Sequence, residues 1–131
     1  MRKGVIAEAM PPKSLIPDEP NAPLTPAMFH VLLALAGDAL HGYAILKEVE
    51  LRTAGEVKLS TGTLYGIIKR LLNDGFIVEL RHRPAENDDE RRRYYRLTPK
   101  GREIAATEAE RLEKVVALAR SRRLLKRTQP A

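Results

Sequence analysis

Apolar residues in the first half of the chain recur every three or four positions, a spacing typical of amphipathic helices. The first predicted helix begins with Thr25 as its N-cap and Pro26 in its first position, and it stops at Gly37. The second begins near His41-Gly42 and ends at Gly55. The pattern therefore predicts two short helices with a short connection between them.

A third helix is predicted after a very short strand at residues 56–58. Ser60 is its expected N-cap, and Gly75 closes it. At 100° per residue its apolar positions fall within one arc, and they are Leu64, Ile67, Ile68, Leu71 and Leu72. The opposite side carries small or polar residues: Gly62, Tyr65, Gly66, Lys69 and Asn73. This polar face is the first indication of a surface that binds a partner.

Two segments rich in β-forming residues follow and predict a hairpin. Its strands are residues 76–83 and 91–97, and the turn-forming segment PAENDDE lies between them. Tyr94 and Tyr95 point to opposite faces of the second strand, so one of them is expected to pack on the domain. Arginines near the rim would then meet phosphates, with the acidic tip pairing them when no DNA is bound. A solvated charged hairpin without this role is the alternative.

Thr98-Pro99 starts a last helix in the same way as Thr25-Pro26. The resulting order is three helices, a hairpin and a long helix. This order predicts a mainly α fold with a small β-hairpin, namely a winged helix-turn-helix followed by a long C-terminal dimerisation helix.

The last helix carries a seam of apolar positions spaced four and three residues apart, as in helices that pair with another helix. The seam consists of Ala105, Ala109, Leu112, Val116 and Ala119, and it is widened by Ile104, Val115 and Leu118. Its early turns are expected to dock on their own domain and its later turns on a partner's helix; purely intramolecular packing is the alternative. The basic end suits the negative C-terminus of a helix and comprises Arg120, Arg122, Arg123, Lys126 and Arg127.

A chain of 131 residues has room for one compact domain. Residues 1–24 contain five prolines and no periodicity, and they predict a flexible tail. A docked arm anchored by Leu15 and Ile16 is the alternative. Residues 25–98 form the predicted winged helix-turn-helix domain, and residues 99–131 form the dimerisation helix with its basic end.

The net charge of +6 and the pI near 9.8 indicate a polyanionic partner, either nucleic acid or an anionic membrane surface. The chain has no cysteine, which excludes disulfides and thiolate metal sites and fits a reduced compartment such as the cytoplasm. No apolar run approaches the roughly 20 residues of a membrane span. The three histidines show no metal-ligand spacing, and no catalytic motif or cofactor loop is present. Neither an enzyme nor a cofactor is therefore expected.

Three motifs together resemble the PadR-like transcriptional regulators: HGY opening the second helix, GTLY in the third, and RRRYYRLTPKG after the hairpin. The resemblance runs from about Leu24 to Arg102. It implies a dimeric DNA-binding repressor that dimerises through its C-terminal helix, and some members release DNA when a small aromatic or drug-like compound binds. Gly66 stands where the family often has proline. A glycine inside a helix costs about 1 kcal/mol relative to alanine, so this position is expected to exchange stability for a close backbone approach to DNA.

The motif match gives DNA-facing roles to Tyr43, Thr63, Tyr65, Lys69 and the arginines of the hairpin. The dipole of the third helix favours phosphate at its N-terminus, and Lys69 is the best candidate to contact guanine. Because few strong base readers are present, phosphate and shape readout are expected to contribute. The full set of expected DNA contacts is Tyr43, Ser60, Thr61, Thr63, Tyr65, Lys69, Arg70, Arg81, Arg83, Arg91, Arg92 and Arg93.

The expected function is that of a homodimeric repressor on an inverted-repeat operator, with half-sites about one helical turn (roughly 34 Å) apart. The sequence does not separate a repressor from an activator. A winged-helix module that binds a protein is the competing class, and a steep salt dependence of binding would separate the two. A possible small hydrophobic effector would lie where the two C-terminal helices cross, beside Leu112, Val115, Val116 and Ala119.

Overall fold

A computed structural model describes residues 24–80 and 93–126. The elements in chain order are α1 (Pro26–Gly37), β1 (Leu40–His41), α2 (Gly42–Arg52), α3 (Thr61–Asn73), β2 (Ile77–Glu79), β3 (Tyr94–Leu97) and α4 (Pro99–Ser121). The predicted mainly helical fold with a small antiparallel sheet is confirmed, and α1, α3 and α4 begin where their caps predict. Residues 1–23 of the predicted tail, residues 81–92 of the predicted hairpin and the residues from Arg127 onward lie outside the described residues.

Each helix is capped by a side chain at its N-terminus. The Oγ1 of Thr25 accepts from the backbone N–H of Met28 at 3.1 Å. Ser60 and Thr98 cap α3 and α4 in the same way. At α2 the cap is a histidine, since Nδ1 of His41 accepts from the N–H of Ala44 at 3.2 Å. A Ser or Thr cap contributes about 1 kcal/mol, which explains why the starts of α1, α3 and α4 are well defined.

The core lies where α1, α2 and α3 pack against the sheet and against the first turns of α4. The apolar arc predicted for α3 faces this core: Leu64, Ile68 and Leu71 are at most 2% exposed. Fully buried side chains from the other elements complete it, and the largest are Val31, Leu32, Ile45 and Ile77. The opposite face of α3 is thereby fixed toward the outside.

The sheet has β3 in the centre, with β1 and β2 antiparallel on its two sides. The sequence did not predict β1, which is only two residues long and pairs Leu40 with Tyr95 and His41 with Tyr94. The predicted strand at residues 56–58 is wrong. The N–H of Val57 donates instead to Oγ1 of Thr53, which anchors this stretch as a loop.

Both tyrosines of β3 are buried, whereas only one was expected to pack on the domain. Tyr95 belongs to the core and is 3% exposed. Tyr94 lies on the other face, where β1 carries the ring of His41 over it in an edge-to-face contact with 5.2 Å between centroids. The unpredicted strand therefore explains the unpredicted burial.

The first turns of α4 dock closely on the end of α3 and the start of β2. A Cβ atom on Gly101 would lie 1.9 Å from the carbonyl oxygen of Phe76. Oγ1 of Thr98 donates to the carbonyl of Gly75 at 2.6 Å, and Ala105 is buried. Farther along, α4 leaves the domain, and Val115 is half exposed. Within residues 24–80 and 93–126, no helix is long and apolar enough to cross a membrane.

Candidate nucleic-acid interface

The outer face of α3 forms a flat, polar surface. Tyr65 is 48% exposed, and Thr61, Thr63 and Lys69 are exposed beside it. An added Cβ on Gly62 or Gly66 would meet nothing within 4 Å. Because the buried face of α3 locks the helix in place, this surface has little bulk and a fixed orientation. Such a helix is suited to enter a DNA major groove.

Hydroxyl groups surround the backbone N–H groups at the N-terminus of α3. The Oγ atom of Ser60 accepts from the N–H of Thr63 at 3.0 Å, and its hydroxyl donates to Oγ1 of Thr63 at 2.9 Å. Thr61 is exposed beside them. The helix dipole makes this end partly positive, so these groups fit an anionic oxygen such as that of a phosphate.

The start of α2 lies next to α3 and adds two more groups. Tyr43 is 59% exposed, and the Nζ atom of Lys47 lies 5.5 Å from the centre of its ring. The two side chains are one helical turn apart, which brings them together on one face. Lys47 was not among the predicted contacts, although its spacing from Tyr43 was a signal that the sequence contained.

The phenol of Tyr95 on β3 has a pKa above its ordinary value. Burial is the largest cause that raises the pKa of Tyr95. The negative charge of Glu79 and the phenol of Tyr65 raise this pKa further, and the positive charge of Arg93 lowers it. Arg93 is exposed, with its guanidinium 3.9 Å from the carboxylate of Glu79. The other predicted arginines of the hairpin, Arg81, Arg83, Arg91 and Arg92, lie outside the described residues.

Arg70 has a different environment from the one expected. Its Nε atom lies 3.3 Å from Oδ2 of Asp74, and the two side chains are only 12% and 10% exposed. The guanidinium folds along the helix to the C-cap residue of α3 and does not extend from the exposed face. In this structure Arg70 stabilises the end of α3, and its expected contact with DNA stays a prediction.

The expected dimerisation residues divide into two groups along α4. Ala105 is 8% exposed and packs in the core of its own chain, so it is removed from the set. Ala109, Val115 and Val116 are exposed, and Leu112 and Ala119 are partly buried. Only the part of the seam beyond the first turns of α4 is therefore available to a partner.

The family model described as the transcriptional regulator PadR-like family matches residues 31–107, more than half of the chain. This chain belongs to the PadR-like family. The match runs from the middle of α1 through α2, α3 and the strands to the docked turns of α4. Members of this family are DNA-binding transcriptional regulators and not enzymes.

Known relatives resemble this PadR-like chain over its domain. A transcriptional regulator from Clostridium thermocellum, Cth-833, has 26% sequence identity and a TM-score of 0.61, covering 72% of this chain and 86% of that one. A PadR family regulator from Clostridium difficile R20291 shares the fold, with 23% identity, a TM-score of 0.59 and coverage of 72% and 94%. An uncharacterized 37.1 kDa protein in transposon TN4556 of Streptomyces fradiae is 41% identical over 83 residues, 63% of this chain. The matched segment is only 22% of that protein.

No cluster of three metal-binding side chains occurs among residues 24–80 and 93–126 of this PadR-like protein. A groove of about 360 Å³ lies between α1 and α2, beside Leu33 and Val49. It is separate from the cleft predicted for an effector, whose residues lie along the exposed half of α4. The effector therefore stays a prediction.

Proposed function

We propose that this PadR-like protein is a homodimeric repressor that binds an inverted-repeat operator. The observation that carries the proposal is the outer face of α3, which combines exposed polar side chains with two glycines above a rigid core. Each subunit inserts this face into a major groove. The two-fold axis of the dimer places the half-sites about one helical turn apart, roughly 34 Å.

The contacts divide by their chemistry. Hydroxyls and N–H groups around Ser60, Thr61 and Thr63 bind phosphate, while Tyr65 and Lys69 reach base edges. Tyr43 flanks the groove on the side of α2, and Lys47 joins it there as a phosphate contact. On the other flank the hairpin supplies its arginines to a neighbouring backbone or minor groove: Arg81, Arg83, Arg91, Arg92 and Arg93. Since few strong base readers lie on α3, much of the affinity comes from phosphates and DNA shape.

Dimerisation uses the outer half of α4. Val115, Val116 and Leu118 are 51%, 43% and 55% exposed, which supports a partner helix that buries them. At 1.5 Å per residue the 23-residue helix is about 34 Å long, so it carries this seam well beyond the domain. The small side chain of Ala109 permits a close approach of the two helices.

Repression follows from occupation of a promoter by the dimer. A change in the angle between the two α4 helices alters the separation of the two α3 helices, and the operator is then released. A small apolar effector bound beside Leu112 and Val115 would act in this way. The same site in a dimer is bounded by aliphatic side chains, since the chain has no tryptophan and no aromatic residue beyond Tyr95.

The test is a selection of bound sequences from random DNA, followed by titration of the selected site in salt. We expect an inverted repeat for the wild type and a loss of selection for Tyr65→Ala and Lys69→Ala. Removing one phosphate contact from the protein makes the slope of log affinity against log salt concentration shallower by about 0.9. Lys114→Ala, at an exposed position on α4, is the matched control and should leave the selected sequence unchanged.

Two other outcomes separate the competitors. Salt-dependent binding without any enriched sequence, unaffected by Tyr65→Ala, would indicate that the protein binds DNA only non-specifically, through a basic surface. Absence of salt-dependent DNA binding would instead favour the protein-interaction module.

A further inference from the structure

Gly42, the first residue of α2, is buried and lies against the side chain of Tyr65 on α3. A Cβ atom at position 42 would lie 2.4 Å from Oη and 3.0 Å from Cζ of Tyr65. The φ angle of Gly42 is not in the positive range that favours glycine. The backbone there accepts any residue, so what this position provides is space for the phenol.

The phenol of Tyr65 is in contact with α2 on one side. Yet Tyr65 is 48% exposed, so the remaining surface of its ring faces outward. One side of the ring therefore lies against the first turn of α2, and the rest faces outward.

We propose that Gly42 is a positioning residue for DNA recognition: its missing side chain sets the direction in which Tyr65 projects from α3. A methyl group at position 42 removes the space that the phenol occupies. The atoms it meets are at the far end of a side chain with two rotatable bonds, so the ring moves and the backbone stays. This inference rests on the proposed operator binding, in which Tyr65 faces the groove.

The proposal connects two sequence motifs, HGY at residues 41–43 and GTLY at residues 62–65. HGY supplies the helix cap at His41, the space at Gly42 and the flanking phenol at Tyr43, and GTLY supplies the phenol that fills the space. Neither motif explains the glycine when it is considered alone. The contact indicates that Gly42 is needed for the position of Tyr65 on the neighbouring helix α3.

The experiment compares Gly42→Ala, Tyr65→Leu and the double variant in the full-length protein. The sequence preference is measured by selection from random DNA, and affinity is measured on the wild-type operator. Gly37→Ala is the matched control, because an added Cβ there meets nothing within 4 Å. Two-dimensional NMR of ¹³C-labelled tyrosines follows the ring of Tyr65, and circular dichroism verifies that each variant is folded.

We expect Gly42→Ala to weaken operator binding by about tenfold, the size of one lost side-chain contact. The preference should change at the same base pairs that Tyr65→Leu affects, and the Tyr65 ring signals should shift. In the Tyr65→Leu background, Gly42→Ala should change affinity by less than about twofold, because the two changes act through one side chain. A merely destabilising substitution would weaken all sites alike and leave the preference intact.

The outcomes distinguish this inference from the function on which it rests. Normal selection by the wild type together with an unchanged profile for Gly42→Ala would overturn the positioning role alone. An undiminished effect of Gly42→Ala in the Tyr65→Leu background would do the same, since the glycine would then act without the tyrosine. If the wild type selects no sequence, the operator and the positioning role are both overturned.

Discussion

Replacing Gly101 with alanine tests how closely α4 is docked on the winged domain. The added methyl group would lie 1.9 Å from the carbonyl oxygen of Phe76 and 2.8 Å from its carbonyl carbon. An ordinary carbon–oxygen contact is about 3.3 Å, so α4 and the chain at Phe76 must separate by roughly 1.4 Å. Both sides of this contact are backbone, and no change of rotamer relieves it.

The cost follows from what the separation disturbs. Overpacking a tight site costs about 1–3 kcal/mol. Two hydrogen bonds at the same junction also lengthen: Thr98 donates its N–H to the carbonyl of Phe76 at 3.0 Å and its hydroxyl to the carbonyl of Gly75 at 2.6 Å. At about 1 kcal/mol for each bond, the expected loss in the free energy of unfolding is about 3–5 kcal/mol.

Urea denaturation followed by far-UV circular dichroism measures this loss, since the chain has no tryptophan to report by fluorescence. All variants are compared at one protomer concentration, because a dimer gains stability with concentration. In thermal melts the same loss lowers the Tm by more than about 10 °C. Gly37→Ala is the control, with open space at its Cβ position. A loss below about 1 kcal/mol for Gly101→Ala would refute the close docking of α4.

Three further changes test other parts of the molecule. Gly66→Ala should raise the free energy of unfolding by about 0.5–1 kcal/mol through helix propensity, while weakening operator binding where the backbone approaches DNA; a parallel rise in both would contradict the close approach. Val116→Asp should weaken dimerisation more than about hundredfold in sedimentation experiments, because it buries a charge, whereas Lys114→Asp should not. Burial raises the pKa of Tyr95 above its ordinary 10.0, so the folded state favours the neutral phenol and loses stability as the pH rises from that value through the folded pKa. Tyr95→Phe should therefore show a smaller loss of stability in alkaline denaturation than the wild type.

The elements that the sequence predicted well are those defined by local chemistry. The caps Thr25, Ser60 and Thr98 mark helix starts because each satisfies N–H groups within its own first turn. The outer face of α3 was predictable because helical periodicity alone separates Leu64 from Tyr65. What was missed depends on partners that are distant in sequence or on the path of one side chain.

Two misses illustrate this limit. The strand β1 is two residues long, too short for any periodicity, and it exists because β3 offers a free edge beside it. Its presence then buries Tyr94 under His41, which alternation along β3 could not indicate. The ion pair of Arg70 was missed for a more local reason: whether a long side chain extends into solvent or folds back to Asp74 is a matter of rotamer, which the residue type does not specify.

The glycines of this chain show why a motif has to be interpreted through its neighbours. Gly101 is required by the backbone of Phe76, Gly42 makes room for the side chain of Tyr65, and Gly66 faces open space. These three surroundings predict three different results for the same substitution by alanine: a large loss of stability, a redirected side chain on a folded domain, and a gain of stability. Since a Cβ atom at Gly66 would meet nothing within 4 Å among the residues that the structure describes, the reason for a helix-weakening residue there is best sought in the DNA. This argument makes the opposite signs of the stability and affinity changes at Gly66 a test of how α3 enters the groove.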